Sequence, residues 1–431
     1  MSNVRKMAIA TFCALAAMAV ALPAIAGEGA EGAIDSGDTA WIMVSTALVM
    51  LMTPGLALFY GGMTRQKNVL STIMQSFFIL CLISIQWVIW GYSFSFGSDM
   101  LGGFVGGFSF IGLAGVGMEA NGTIPHLVFM MFQGMFAIIT VALITGAVAG
   151  RMKFSAIVIF SLIWTTVVYD PVCHWVWGGG WLGSLGALDF AGGTVVHISS
   201  GVSALVAAVV LGKRRGYPRE AMPPHNLTLT VLGAALLWFG WFGFNAGSAL
   251  AADGLAAMAF VTTNTASAAA ALAWVFVEWI HRGKPTVLGA LSGAVAGLVS
   301  ITPAAGFVGP MSSIIIGGVG GGICYVMVAV VKPALGYDDS LDAFGIHGVG
   351  GTWGALATGL FASVGAKGLF FGNPGQMKAQ VIGVVATALI AAVATFIILK
   401  IVDALVGLRV TEEDEVMGLD HVLHGESGYN L

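Results

Sequence analysis

Two histidines, His197 and His347, lie inside apolar segments of the sequence that are long enough to cross a membrane. Each follows an aspartate and a stretch of small residues, in DFAGGTVVH at 189–197 and in DAFGIH at 342–347. An ionisable side chain is costly in the hydrocarbon region of a bilayer, so it indicates a functional site by default. Two of them at related places predict a path that handles protons or a polar solute.

A pair of neutral imidazoles suits that role. Each ring carries one donor and one acceptor nitrogen, and its tautomer depends on its partner. If His197 and His347 face each other, they can share one proton in a hydrogen bond and titrate as a unit. The alternative is two independent histidines that bond to backbone carbonyls and support helix packing. Because the two stand at corresponding places in the chain, we favour a pore that both histidines line.

The composition indicates a protein built for lipid. Of the 431 residues, 58% are hydrophobic and 9% are charged, with a mean hydropathy of +0.92. Soluble globular proteins carry roughly 25% charged residues. The net charge of −4 comes without a long basic run, so nothing in the sequence indicates nucleic-acid binding. The 62 glycines suit helices that pack closely through small residues.

The N-terminus has the pattern of a secretory signal peptide, 1–26. Arg5 and Lys6 precede an apolar stretch, and the small residues AIA stand before Gly27. An uncleaved anchor is the alternative. Cleavage would remove Cys13 and leave the mature N-terminus outside the cytoplasm. The other cysteines form neither a metal motif nor a disulfide framework and are predicted to be buried thiols: Cys81, Cys173 and Cys324.

The rest of the chain predicts an all-α polytopic membrane protein. A spanning helix needs about 20 predominantly apolar residues. Eleven such runs follow the signal, and we place them at 38–61, 69–95, 124–150, 154–173, 190–212, 226–247, 258–282, 286–303, 308–331, 345–364 and 378–408. The membrane domain is thus 27–409, and a charged tail follows at 410–431.

Basic residues predict the orientation of these spans. With the mature N-terminus outside, thirteen Lys and Arg residues fall in cytoplasmic loops or at cytoplasmic helix ends, whereas the external loops hold Lys367 and Lys378. This is the positive-inside pattern, and it supports both the span count and the orientation. The odd number of spans puts the tail in the cytoplasm.

The two histidine spans are the fifth and the tenth, so the halves 38–212 and 226–364 have opposite topology. Both spans carry H-x-x-x-G, at His197–Gly201 and His347–Gly351. This weak symmetry predicts two five-helix inverted repeats, which hold the substrate path at their interface. The eleventh span, 378–408, is then an extra helix, long enough to require a strong tilt.

The segment at 189–197 resembles the ammonium transporters of the Amt/Mep/Rh family, and the likeness extends over the whole mature chain. The signal peptide, the eleven spans and the tail GLRVTEEDE resemble the bacterial branch in particular. So do five further segments: FQGMF (132–136), HWVWGGGWL (174–182), WFGFNAGS (241–248), GLVSITPAAG (297–306) and DAFGIHGV (342–349).

The resemblance implies a role for each matching residue. An external vestibule would recruit ammonium through Trp177, Phe136 and Ser248, and the rings of Phe136 and Phe244 would close the mouth beneath it. The residues near the path below would be His197, His347, Asp189, Trp241 and Thr302. The family also implies a homotrimer in the bacterial inner membrane, often a PII-type cytoplasmic regulator, no cofactor and no enzymatic activity.

The implied residue types suit ammonium, a small cation with four N–H donors. An aromatic face attracts a cation by about 0.5–2 kcal/mol, and a hydroxyl oxygen accepts one donor. For Trp177 and Phe136, the alternative without the resemblance is an interfacial belt or helix packing. An intact cation is costly in an apolar pore, so deprotonation would admit ammonia and reject potassium, which has no proton to lose.

Asp189 could be a first ammonium ligand, but we favour a structural role. It opens the fifth span, where a carboxylate caps free N–H groups and suits the helix dipole. Asp170 lies near the outer end of the fourth span and is predicted to pair or to stay hydrated. His126 and His174 are predicted to be solvated or interfacial, and His225, His281, His421 and His424 belong to cytoplasmic segments. None has a metal-ligand pattern.

Other functions stay open. An ammonium sensor would report to a cytoplasmic partner with little flux, although no output domain follows the last span. A haem protein with iron between His197 and His347, or a carrier of carbon dioxide, would also use such spans. The tail is either a solvated end or, as the family implies, an ordered element that contacts neighbouring subunits.

Overall fold

The computed structural model describes residues 33–429. The predicted signal peptide, 1–26, and Cys13 lie outside the described residues. Eleven membrane-embedded helices follow one another, numbered α1 to α11 in chain order. Nine of the described helices are long and apolar enough to cross a membrane: α1 Ser36–Met63, α2 Gln66–Phe96, α3 His126–Val148, α4 Phe154–Ser184, α5 Gly193–Leu211, α6 Leu227–Ala249, α7 Gly254–Arg282, α9 Pro310–Leu335 and α11 Pro374–Val406.

The remaining two helices are shorter. Helix α8 covers Val287–Ile301, and α10 consists of a π-helical turn, Phe344–Gly348, that continues as Val349–Phe361. All eleven helices overlap the predicted spans, and most ends differ by a few residues. The largest difference is at α4, which was predicted to end at residue 173 but extends to Ser184. Helix α7 begins four residues earlier than predicted, at Gly254, where Asp253 accepts hydrogen bonds from Leu255 N and Ala256 N. The predicted fold class is therefore confirmed.

The helices pack in a pattern that relates the two halves. Helix α1 lies along α6, and α5 meets α10, so each helix of these pairs contacts its counterpart five positions along the chain. Glycine permits the closest approaches: a Cβ built on Gly233 of α6 would lie 2.2 Å from the backbone nitrogen of Phe59 of α1. Helix α11 runs along α4, α5 and α10 and so joins the two halves.

The segment between α2 and α3 contains two short hairpins, β1 Asp99–Met100 with β2 Val105–Gly106 and β3 Ala120–Asn121 with β4 Ile124–Pro125. His174 fastens this segment: its Nδ1 lies 3.0 Å from the carbonyl of Ser95 and its Nε2 3.2 Å from Asp99 Oδ1. The prediction that His174 is solvated or interfacial was wrong, because the segment covers it completely.

Five other residues can be compared with the environments predicted for them. His126 is half-buried at the outer end of α3, between the Tyr92 hydroxyl at 2.5 Å and Glu119 Oε1 at 3.2 Å. Asp170 is buried and pairs with Gln86, whose Nε2 donates to its Oδ2 at 2.8 Å. Cys173 and Cys324 are buried as predicted, but Cys81 on α2 is exposed, so that part of the prediction was wrong.

On the opposite side, a buried arginine holds the loops together. Arg151 donates to the carbonyls of Gly212 and Asp338 and to the hydroxyl of Ser340. Arg214 binds the carboxylate of Asp338 through Nε and Nη2, at 2.9 and 2.7 Å. Burial raises the pKa of Asp338, but the bonds and charge of Arg214, with the charge of Arg151, outweigh it and hold that pKa below its ordinary value.

The tail folds back on these loops. Glu415, in the short helix α12 (Glu412–Met417), is buried and accepts from Arg409 Nη2 at 2.8 Å and from the backbone of Arg215 at 2.8 Å. Asp420 accepts from the backbone nitrogens of Leu70 and Ser71, at the start of α2. The tail is thus an ordered element that contacts its own chain.

Candidate functional site: a histidine-lined pore

The two histidines of the sequence motif face each other in the core. Nδ1 of His197 lies 3.2 Å from Nδ1 of His347, and the ring centroids are 5.3 Å apart at 27°. Both side chains are almost completely buried. Nε2 of His197 is also buried and has no hydrogen-bond partner among the described residues. One Nδ1 therefore donates to the other, which leaves the Nε2 atoms to meet a solute.

Each histidine lies in a π-helical turn that opens its helix. His197 is in the turn Gly193–Ile198 and His347 in the turn Phe344–Gly348. A π turn inserts one extra residue and is frequent at functional sites. Both turns begin where α5 and α10 meet, so each helix presents its imidazole to the other.

The space around the pair is narrow and apolar. A cavity of about 10 Å³ touches both histidines, which is room for a single water-sized sphere. Every other side chain along it is hydrocarbon, thioether or aromatic: Met52, Leu56, Phe59, Ile139, Leu143, Val196, Leu237, Trp241, Phe244 and Val295. Such a wall offers no counter-charge to a cation.

Two phenylalanine rings separate this space from the outside. The centroids of Phe136 on α3 and Phe244 on α6 lie 4.4 Å apart, and both side chains are buried. Beneath them, the ring of Phe244 is 6.0 Å from the imidazole of His197 and inclined by 22°. The rings therefore form a plug directly above the histidines.

A cavity of about 300 Å³ lies on the outer side of the plug. Trp177, Phe136 and Ser248 line it together, as the resemblance implies, although they come from different helices. The Trp177 ring is 5.9 Å from Phe136, and its Nε1 donates to the carbonyl of Asp189 at 2.8 Å. The Ser248 hydroxyl donates to the carbonyl of Phe244 at 2.8 Å, so its lone pairs are free to accept.

The supporting residues hold the helices that carry these groups. The Asp189 carboxylate accepts from the backbone of Gly192, Gly193, Thr194 and Val195 and from the Thr194 hydroxyl. These are the free N–H groups at the start of α5, so its geometry is that of the cap that we favoured.

Trp241 and Thr302 form a second support beside the pore. Nε1 of Trp241 donates to the Thr302 hydroxyl at 2.9 Å, and the Trp241 ring lies 5.5 Å from that of His197 at 24°. The bond fixes the plane of the indole. The stacked indole in turn limits the positions open to the His197 imidazole.

Sequence reasoning missed the counterpart of Asp189. We had paired it with Asp342, but Asp342 lies 2.5 Å from Lys332 Nζ in a salt bridge. Asp339 is the residue that caps the second histidine turn, through Ala343 N and Phe344 N. Asp339 precedes His347 by the same number of residues as Asp189 precedes His197. This equal spacing in the sequence could have identified Asp339. Burial raises the pKa of Asp339 to about 6, although Lys332 opposes the shift.

These features define a class: a helical membrane protein whose core holds a narrow apolar cavity, lined by two buried histidines and closed on one side by two phenylalanine rings. The Ammonium Transporter Family model matches residues 40–429. The ammonium transporter of Bacillus subtilis is 56% identical and covers 91% of this chain and 98% of its own length. Amt1 of Archaeoglobus fulgidus is 50% identical over 92% of this chain and all of its own. The chain therefore belongs to the ammonium transporter family, and the resemblance is confirmed.

Solved structures agree with this assignment. Saccharomyces cerevisiae Mep2 superposes with a TM-score of 0.83 at 37% identity, covering 88% of each chain. A protein titled a sensor Amt protein superposes with a TM-score of 0.85 at 28% identity, covering 90% of this chain and 98% of its own.

Proposed function

We propose that this protein takes up ammonium across the bacterial inner membrane by admitting the cation to the outer cavity and passing ammonia through the histidine pore. One observation carries the proposal: the aromatic rings of Trp177, Phe136, Phe244, His197 and His347 follow one another from the outer cavity to the core, with neighbouring centroids 4.4–6.0 Å apart.

The first step is recruitment. The faces of Trp177 and Phe136 attract the cation, and the Ser248 oxygen accepts one of its hydrogens. A contribution of about 0.5–2 kcal/mol from each cation–π contact gives a weak site. A weak site suits flux, because a tightly held cation would leave slowly.

The second step is deprotonation at the plug, in which the ammonium proton passes to water in the outer cavity or to the histidine pair. The cavity beyond Phe136 and Phe244 offers no charge to the cation and admits one water-sized particle, so ammonia enters more easily than ammonium. Potassium has no proton to release and stays outside. This supports selectivity by chemistry, since the two cations are similar in size.

The third step is passage along the histidines. With the Nδ1 atoms joined at 3.2 Å, the outer Nε2 atoms can exchange hydrogen bonds with ammonia in single file. The shared hydrogen also gives the pair a way to relay a proton. Net transport is then ammonia with a separately transferred proton, or ammonia alone.

We also propose the homotrimer and a PII-type regulator that the resemblance implies. Large apolar side chains are exposed along the mutually packed helices α7 and α9, among them Phe276, Ile280, Met311 and Ile315. Exposed apolar area of this kind can face lipid or a neighbouring subunit. On the cytoplasmic side of the proposed topology, the ordered tail offers a surface that a regulator can contact.

A sensor is the second candidate, and the similarity to the protein titled a sensor Amt protein favours it. A sensor would bind ammonium in the outer cavity and signal through the tail with little flux. Transport measured on the purified protein separates the two functions.

The experiment uses purified protein in liposomes on a capacitive electrode, pulsed with ammonium and then with potassium. We expect a saturable ammonium current, no potassium response, and loss of the current in the His197→Ala/His347→Ala double variant. Recordings of internal pH on the same liposomes detect uptake of neutral ammonia. Neither a current nor a pH change with the unaltered protein would refute transport and leave the sensor.

A further inference from the structure

One polar residue on the wall of the outer cavity has no role yet. Besides Ser248, Gln133 is the only described residue on this wall whose side chain contains an oxygen. Gln133 stands on α3 one turn before Phe136, so both side chains lie on the same face of the helix. The other described lining residues are aromatic or aliphatic.

Gln133 is also unsatisfied. Its side chain is largely buried, with 8% of the residue exposed, and Oε1 is inaccessible without a hydrogen-bond partner within residues 33–429. Buried polar atoms almost always have a partner, so each exception requires an explanation.

We propose that Gln133 is a second hydrogen-bond acceptor for the recruited cation, an inference that rests on the proposed function. Ammonium that loses water at the plug has four N–H donors to satisfy. Aromatic faces compensate its charge but replace only part of its hydrogen bonding. Ser248 Oγ accepts one of these hydrogens and Gln133 Oε1 accepts another.

The carboxamide reaches the cation by a turn about its last torsion. That torsion is broad and roughly two-fold, and the oxygen and nitrogen ends have nearly the same shape. This rotation exchanges the positions of the amide oxygen and the amide nitrogen of Gln133. Because one polar group replaces the other, the free-energy change of the rotation itself is small. The charge-assisted bond to the cation then favours the oxygen facing the cavity.

The test compares transport by the full-length protein in liposomes after substitution of Gln133. Gln133→Met keeps the length and bulk of the side chain and removes the acceptor. We expect the half-saturation concentration for ammonium to rise about tenfold, equivalent to about 1.4 kcal/mol, with the maximal rate retained. Gln133→Glu restores an oxygen at the same place, so its half-saturation concentration should equal or fall below that of the unaltered protein.

Gln75 provides a matched control. It is a buried glutamine on α2 whose Oε1 also has no partner among the described residues, but it does not line the outer cavity. Gln75→Met should therefore leave the half-saturation concentration unchanged. If Gln133→Met does not reach the membrane, Gln133→Asn, which withdraws the oxygen by one methylene, replaces it and should also raise the concentration.

Two results would overturn the inference while leaving the proposed function intact. One is an unchanged half-saturation concentration in Gln133→Met. The other is an equal rise in Gln133→Met and Gln133→Glu, which would mean that the side chain only packs. Failure of the proposed function looks different, because then the unaltered protein itself gives no ammonium response.

Discussion

Gly351 packs directly against His197. A Cβ built on Gly351 would lie 2.9 Å from Cβ of His197 and 3.0 Å from the carbonyl oxygen of Gly193. The reciprocal contact exists as well, since a Cβ on Gly201 would lie 2.1 Å from the backbone nitrogen of Gly348, next to His347. The glycine of each H-x-x-x-G motif therefore makes room for the histidine turn of the other helix.

This crossing predicts that Gly201→Ala disrupts the pore. Its methyl group would collide with the backbone of α10, which cannot move aside as a flexible side chain can. Overpacking typically costs about 1–3 kcal/mol, so we expect a lower melting temperature in detergent and loss of ammonium transport. Gly254→Ala is the control, because nothing lies within 4 Å of its added Cβ. Normal transport by Gly201→Ala would contradict this account of the crossing.

Asp189→Glu should be poorly tolerated although it keeps the charge. The longer side chain cannot place its oxygens on the N–H groups of Gly192, Gly193 and Thr194 together. We expect less folded protein in the membrane and reduced transport, measured by quantitative blotting and ammonium uptake. Asp253→Glu is the matched control, since Asp253 caps the exposed start of α7. Equal assembly and transport in Asp189→Glu and the unaltered protein would count against a structural role.

Asp338→Asn should destabilise the loops that Arg151 and Arg214 hold together. It leaves the charges of Arg214 and buried Arg151 without their carboxylate, and breaking a buried pair costs about 3–5 kcal/mol. Because Arg214 is partly accessible, we expect the lower end of that range, seen as a reduced melting temperature at neutral pH.

The stability that the Asp338–Arg214 pair contributes should decrease as the pH falls. The pKa of Asp338 is lower in the folded protein than in the unfolded chain. Its contribution to the free energy of unfolding is therefore fully present at pH values above the ordinary aspartate pKa. That contribution is lost as the pH falls through the folded-state pKa. The difference in melting temperature between the unaltered protein and Asp338→Asn should therefore shrink on acidification below about pH 4. A difference that grows on acidification would show that another group controls this region.

Deleting residues 410–431 should impair transport. The deletion eliminates the hydrogen bonds that Asp420 accepts from the backbone at the start of α2. It also eliminates those that Glu415 accepts from Arg409 and Arg215. We expect lower ammonium flux with the pore residues unaltered, and Asp420→Ala should reproduce part of the loss. Glu426→Gln, in the exposed end of the tail, is the control. Full flux in the deletion variant would make the tail dispensable.

Much of the architecture can be predicted from the sequence. A run of about 20 apolar residues is a local property, so the sequence predicted each of the eleven helices and the fold class. The resemblance implied that Trp177, Phe136 and Ser248 form one site, and all three residues line the same cavity. The histidines were singled out by the cost of an ionisable group in lipid, and they do face each other.

Other features needed the tertiary structure. Asp342 is nearer to His347 in the sequence, but Asp339 caps the turn, because the chain path directs only Asp339 at the free N–H groups. His174 was predicted to be solvated or interfacial, but the segment between α2 and α3 covers it. Gln133 is one polar residue in an apolar helix, and its unpartnered oxygen is visible only with its neighbours in place.

By itself, the sequence determined the number of helices, the family and the pair of buried histidines, since hydropathy and motif spacing act along the chain. Only the tertiary structure decided which carboxylate caps which turn, why each H-x-x-x-G glycine is needed, and which polar residues line the outer cavity. These features depend on distances between segments remote in the chain, and the close packing of the helices fixes those distances.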